Sequence, residues 1–240
     1  MYSTPPRQDD MQKTASAPVV TQADAAGAKG ASGQQPDQQP TLREVFSETV
    51  TDGAALGFML AQLDTTKGPV LWISDRLSRR EAGVICLAGL PHKNNMQGLD
   101  ILRVDVSKPV DVLWAMEQGL GCPDLGAVIG EIWGDPPALD FTATKRLALR
   151  SEAHAVPAWL IRRAAHANLS AARARWRLAS LPSLPNPYDM HAPGKPLWHA
   201  TLFRSRWGAP GDWVARDEDG LQLDHRVEGR ATTQAEVRHA

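Results

Sequence analysis

Between Leu42 and Ile161 the chain alternates short apolar runs with stripes of apolar residues at helical spacing. Leu42 to Phe46 reads as a short strand, although TLREVF would also suit the start of a helix. Leu56, Met59, Leu60 and Leu63 follow at helical spacing behind Asp52, a capping residue type. Val70 to Ile73 is a continuous apolar run of the kind a strand buried on both faces shows. Ser78 and Glu81 have the spacing of a capping box, predicting a helix that opens there and ends at Gly89. Ile101 to Val104 reads as a strand. Pro109 suits a first helical turn, and Val110, Leu113, Trp114 and Leu120 continue that helix. Leu125 to Ile132 is a further buried strand. Asp135 and Pro136 then predict a helix whose inner face is Leu139, Ala143 and Leu147, and Ala158 to Ile161 is again a strand.

Strands separated by helices require crossover connections, which build parallel sheets. Beyond Ser170 the period changes to two: Arg173, Arg175 and Arg177 alternate with Ala174, Trp176 and Leu178. Trp198 to Phe203 and Trp213 to Ala215 also read as strands. Interrupted by Gly and Pro, these late strands predict antiparallel additions at one sheet edge. The expected fold class is α/β, a mostly parallel sheet with flanking helices plus antiparallel edge strands near the C-terminus. Residues 1–40 are rich in Gln, Ala, Ser, Thr, Gly and Pro and lack the apolar content of a core, so they read as a disordered tail. Residues 41–227 read as one domain and 228–240 as a second tail.

Charge changes this picture in the second half. Residues 41–140 carry eight basic and fourteen acidic side chains, whereas residues 141–211 carry eleven basic side chains and only Glu152 and Asp189 as acids. Arg173, Arg175 and Arg177 are expected to project from one face of a strand with Trp176 turned into the core. Arg162, Arg163, Arg204 and Arg206 are expected on neighbouring strands. Two readings stay open. The seven arginines form a surface for single-stranded DNA or an acidic partner, or they balance the acidic first half within the chain. Of the eight tryptophans, most are expected in the core, with Trp198, Trp207 and Trp213 as surface candidates.

The chemistry of known enzyme classes is missing. The first strand-to-helix turn, Ser47 to Gly53, lacks the glycines, lysine and hydroxyl arrangement of a phosphate-binding loop, and it places Glu48 and Asp52 where phosphate would sit. Dinucleotide and serine-hydrolase signatures are absent as well. Glu131 and Asp135 read as a strand-end polar residue and a helix cap. The seven histidines have no metal-ligand spacing, and Cys86 and Cys122 are expected as buried small residues. No catalytic residue, metal or cofactor is expected. With no signal-peptide region and no run of roughly 20 apolar residues, the expected location is the cytoplasm, away from membranes.

The strings TLREVFSE, PVLWISDRLSRREAG, GLGCPDLGAVIGEIWGDPPALDFTATKRLALRSE and VPAWLIR resemble the ImuA family of bacterial SOS proteins in its alphaproteobacterial form. The resemblance spans Thr41 to Trp213 and is most specific at Gly126 to Asp135 and Thr142 to Glu152. It implies a RecA-like core with a degenerate nucleotide site. It also implies an accessory, non-catalytic role in SOS-induced translesion DNA synthesis, with an ImuB-like Y-family polymerase homologue, an error-prone DnaE-type polymerase and RecA as partners. The alternative is an inhibitor of cell division, similar to SulA, that binds FtsZ.

Overall fold

A computed structural model describes residues 39–64, 66–86, 100–218 and 220–225. The two expected tails lie almost wholly outside these residues, as does Gly89. Among the described residues nine strands form one sheet in the order β3-β2-β4-β5-β1-β6-β7-β8-β9. The first six are β1 (Leu42–Ser47), β2 (Val70–Ser74), β3 (Ile101–Asp105), β4 (Ala127–Trp133), β5 (Ala158–Arg163) and β6 (Ala174–Leu181), all parallel to one another where they pair. Then β7 (Leu197–Ser205), β8 (Gly211–Asp217) and β9 (Leu221–His225) add antiparallel. This is the expected fold class, a mostly parallel sheet with β1 held between β5 and β6. One detail differs: β6, expected as the first antiparallel addition, is parallel to β1, and antiparallel pairing begins only with β7. The strand β9 was not foreseen.

Four helices among the described residues cover the sheet: α1 (Ala54–Leu60), α2 (Arg76–Ala82), α3 (Pro109–Gly119) and α4 (Phe141–His154). On one face Ala54 and Phe58 of α1 pack with Trp72, Trp159 and Trp176. On the other, Val112 and Met116 of α3 and Leu147 of α4 pack with Ile73, Val128 and Leu160. Burial on both faces explains why β2 and β5 read as unbroken apolar runs. Gly130 permits the closest approach of α3 to β4, since a Cβ there would lie 2.3 Å from Met116 Sδ.

Three helix readings are corrected. The cap of α2 is Asp75, whose carboxylate accepts from Ser78 N–H at 2.6 Å, and the helix stops at Gly83. The cap of α4 is Asp140, which accepts from Ala143 N–H at 2.7 Å, so Asp135 is left for another purpose. The inner face of α3 is Val112, Leu113 and Met116, whereas Val110 and Trp114 are exposed. Trp198, expected on the surface, is buried, and Cys86 and Cys122, expected inside, are exposed free thiols.

Candidate functional site

In a parallel α/β sheet, ligands bind beyond the carboxyl ends of the strands. Here that edge is filled by the chain's own side chains. At the end of β1, Asp52 folds back so that its carboxylate accepts from Ala54 N–H at 2.8 Å and from Ser180 N–H at 2.7 Å. An anion thus already occupies the start of α1. On β4, buried Glu131 accepts from Trp72 Nε1 at 3.1 Å, Ser74 Oγ at 2.6 Å and Arg163 Nη2 at 3.1 Å. Asp75 accepts from Trp133 N–H at 3.1 Å besides capping α2. Asp135 accepts from Arg162 Nη2 at 2.6 Å and from His166 N–H at 3.0 Å. Burial of Asp135 opposes its ionisation, but the His166 hydrogen bonds and the Arg162 charge outweigh it and hold the carboxyl below its ordinary range. Among the described residues, no cluster of His, Cys, Asp and Glu could hold a metal ion.

Six of the seven arginines singled out in the sequence separate into two sets, and Arg177 stands apart from both. Arg162, Arg163 and Arg175 are buried and paired with Asp135, Glu131 and Glu44, all from the acidic first half. These three lie in intramolecular ion pairs and do not project from an open face. Arg175 Nε donates to Glu44 Oε2 at 2.7 Å, and Ser170 Oγ donates to the other carboxylate oxygen at 2.6 Å. Burial works most strongly on the Arg162 guanidinium and lowers its pKa, against the opposing pull of Glu44 and Asp135. The pairing register shifts between Arg175 and Trp176, so β7 carries an extra residue, Phe203. Its ring meets Phe46 at 5.7 Å and lies under the guanidinium groups of Arg175 and exposed Arg177. The alternation expected in β6 is present, and Trp176 enters the opposite core.

Arg173, Arg204 and Arg206 come together elsewhere. With Phe141 and Lys145 of α4 and Ser205 of β7 they line a cleft of about 340 Å³. Backbone pairing sets the frame: Arg173 N–H donates to Leu42 O at 2.9 Å, and Arg206 N–H donates to Arg173 O at 2.8 Å. Arg173 grips Glu152 through two hydrogen bonds of 2.6 and 3.1 Å. That contact lowers the Glu152 pKa and raises that of Arg173. Arg206 reaches Glu152 at 4.0 Å, and Arg204 Nη1 donates to Ser170 O at 2.9 Å. Lys145 and Arg204 make no ion pair with any described residue. Phe141 and Lys145 were not singled out in the sequence. Their four-residue spacing, continued by exposed Leu149, is the signal that places them on the outer face of α4.

No protein-family model matches the chain. It is similar to Protein ImuA from two strains of Caulobacter vibrioides, at 28% identity over 188 residues that cover 72% of this chain and 72% of each relative. These matches bear out the resemblance to ImuA. Among solved structures, the RadB recombinase superposes with a TM-score of 0.47 at 13% identity, covering 76% of this chain and 90% of that one. No helix among the described residues is long and apolar enough to cross a membrane.

Proposed function

We propose that this chain is an ImuA-family accessory protein of SOS-induced mutagenic DNA synthesis. It acts in the cytoplasm as a binding platform and performs no chemistry of its own. Its partners are an ImuB-like Y-family polymerase homologue and an error-prone DnaE-type polymerase, with RecA as a third. The similarity to Protein ImuA supports the pathway. One structural observation supports the mode of action: the carboxylates at the ligand edge of the sheet are consumed internally. Glu131, the acid best placed on β4 to hold a metal or polarise water, already accepts from an indole, a hydroxyl and a guanidinium. Together with the acidic turn at Ser47 to Gly53, this argues against a phosphate cradle and against Glu131 as a working acid.

Affinity capture of the tagged full chain from DNA-damaged cells tests the reading. Recovery of the ImuB-like protein, the DnaE-type polymerase or RecA is the expected result. Recovery of FtsZ without any of them would contradict it.

A further inference from the structure

The basic cleft is left over by everything above. Arg162, Arg163 and Arg175 are buried and paired with Asp135, Glu131 and Glu44, so they are unavailable to any ligand. At the cleft, Lys145, Arg173, Arg204 and Arg206 converge from α4, the approach to β6 and the end of β7, and Glu152 is the single acid engaged with them among the described residues. Glu152 satisfies Arg173 bidentately and touches Arg206 only at 4.0 Å. Lys145 and Arg204 line the cleft without a carboxylate partner among the described residues. The cleft wall also carries Phe141, which is 40% exposed, and Trp207, 38% exposed, follows directly on Arg206.

We infer that this cleft binds the phosphate backbone of single-stranded DNA. An array of cations fixed by strand and helix backbone neutralises consecutive phosphates and releases their counterions. Exposed aromatic rings beside such an array offer stacking faces to unpaired bases, which an acidic protein surface has no use for. Glu152 acts as a positioning residue: it fixes the Arg173 guanidinium in the cleft wall. The choice of DNA as the nucleic acid rests on the proposed role in DNA synthesis, but the binding is measurable without reference to that role.

The test uses the purified full chain and a fluorescent oligothymidine of about thirty nucleotides, followed by anisotropy over a range of salt. The variant Lys145→Gln/Arg204→Gln/Arg206→Gln removes three cleft charges. The variant Arg76→Gln/Arg80→Gln/Lys108→Gln removes three exposed charges from α2 and the start of α3. Circular dichroism melts show that each variant is folded. The cleft variant is expected to lose affinity by about tenfold or more. Its slope of log affinity against log salt is expected to flatten by about two, at roughly 0.7 for each phosphate no longer neutralised. The control variant is expected to change little. Phe141→Ala is expected to weaken binding about fivefold with no change in slope. Equal losses in the two triple variants would reduce the effect to bulk charge and overturn the proposal. So would absence of binding by the wild-type chain, or displacement of the oligonucleotide by polyglutamate as readily as by unlabelled DNA, which would assign the cleft to an acidic protein. None of these outcomes bears on whether the chain acts in induced mutagenesis, so the two readings fail separately.

Discussion

Glu131 on β4 and Arg163 on β5 face one another across adjacent strands, 3.1 Å apart and both buried. The Glu131 carboxylate also accepts from Trp72 Nε1 and Ser74 Oγ, so it is fully engaged within the chain. A buried pair of this kind adds little net stability, but removing one partner leaves the other charged and unsatisfied. Glu131→Gln or Arg163→Met is therefore expected to destabilise the fold by about 3 kcal/mol, read by urea unfolding. The double variant Glu131→Leu/Arg163→Met is expected to recover much of that loss. A harmless Glu131→Gln would mean that the carboxylate is not engaged.

Nucleotide is the second point. Asp52 already satisfies the start of α1, and the turn at Ser47 to Gly53 has no lysine. Titration calorimetry with Mg-ATP is expected to give no binding heat, and phosphate release to stay at background. Micromolar binding would contradict this account of the edge.

The three alternating arginines at β6 are predicted to differ sharply. Arg175→Gln leaves Glu44 buried without its charge partner, at a cost of about 3 kcal/mol in thermal or urea unfolding. Arg177→Gln, at an exposed position, is expected to cost under about 0.5 kcal/mol. Replacement of Arg175 therefore cannot report on binding alone.

Glu152 gives a pH signature. Its carboxyl is held below the ordinary value of 4.5, chiefly by Arg173, with Thr41 adding a hydrogen bond. A lowered folded-state pKa contributes stability above that ordinary value and loses it as pH falls through the folded pKa. Near neutral pH, Glu152→Gln is expected to cost about 0.5–1 kcal/mol, because the pair is partly solvated. The gap between the two proteins should close as pH falls below 4.5, where the wild-type carboxyl takes up its proton. A gap that persists unchanged at low pH would place the effect in packing rather than in charge.

The sheet was legible because strands buried on both faces leave unbroken apolar runs, and Val70 to Ile73 and Ala158 to Ile161 both marked real strands. Caps were less legible. Asp135 and Asp140 have the same chemistry, and only the three-dimensional position of Arg162 and His166 draws Asp135 away from α4. Trp114 shows the same limit: its spacing fits an inner face, yet α3 is rotated to bring Val112 and Met116 inward. In β6 the period of two placed Arg175 on the face opposite Trp176. Periodicity states which face a side chain takes and not what covers it, so the buried Glu44 beneath Arg175 could not be seen. The cleft joins residues from Phe141 to Arg206, and its members meet only through the return of β7 alongside β6.

The most direct measurement of the central claim is the frequency of ultraviolet-induced mutation in cells lacking this chain. Undamaged growth is expected to be normal and induced mutation to be abolished. Loss of the ImuB-like protein is expected to give the same phenotype, and loss of both to add nothing, because both stop one assembly. Induced mutation at the wild-type frequency in the deletion strain would contradict the account.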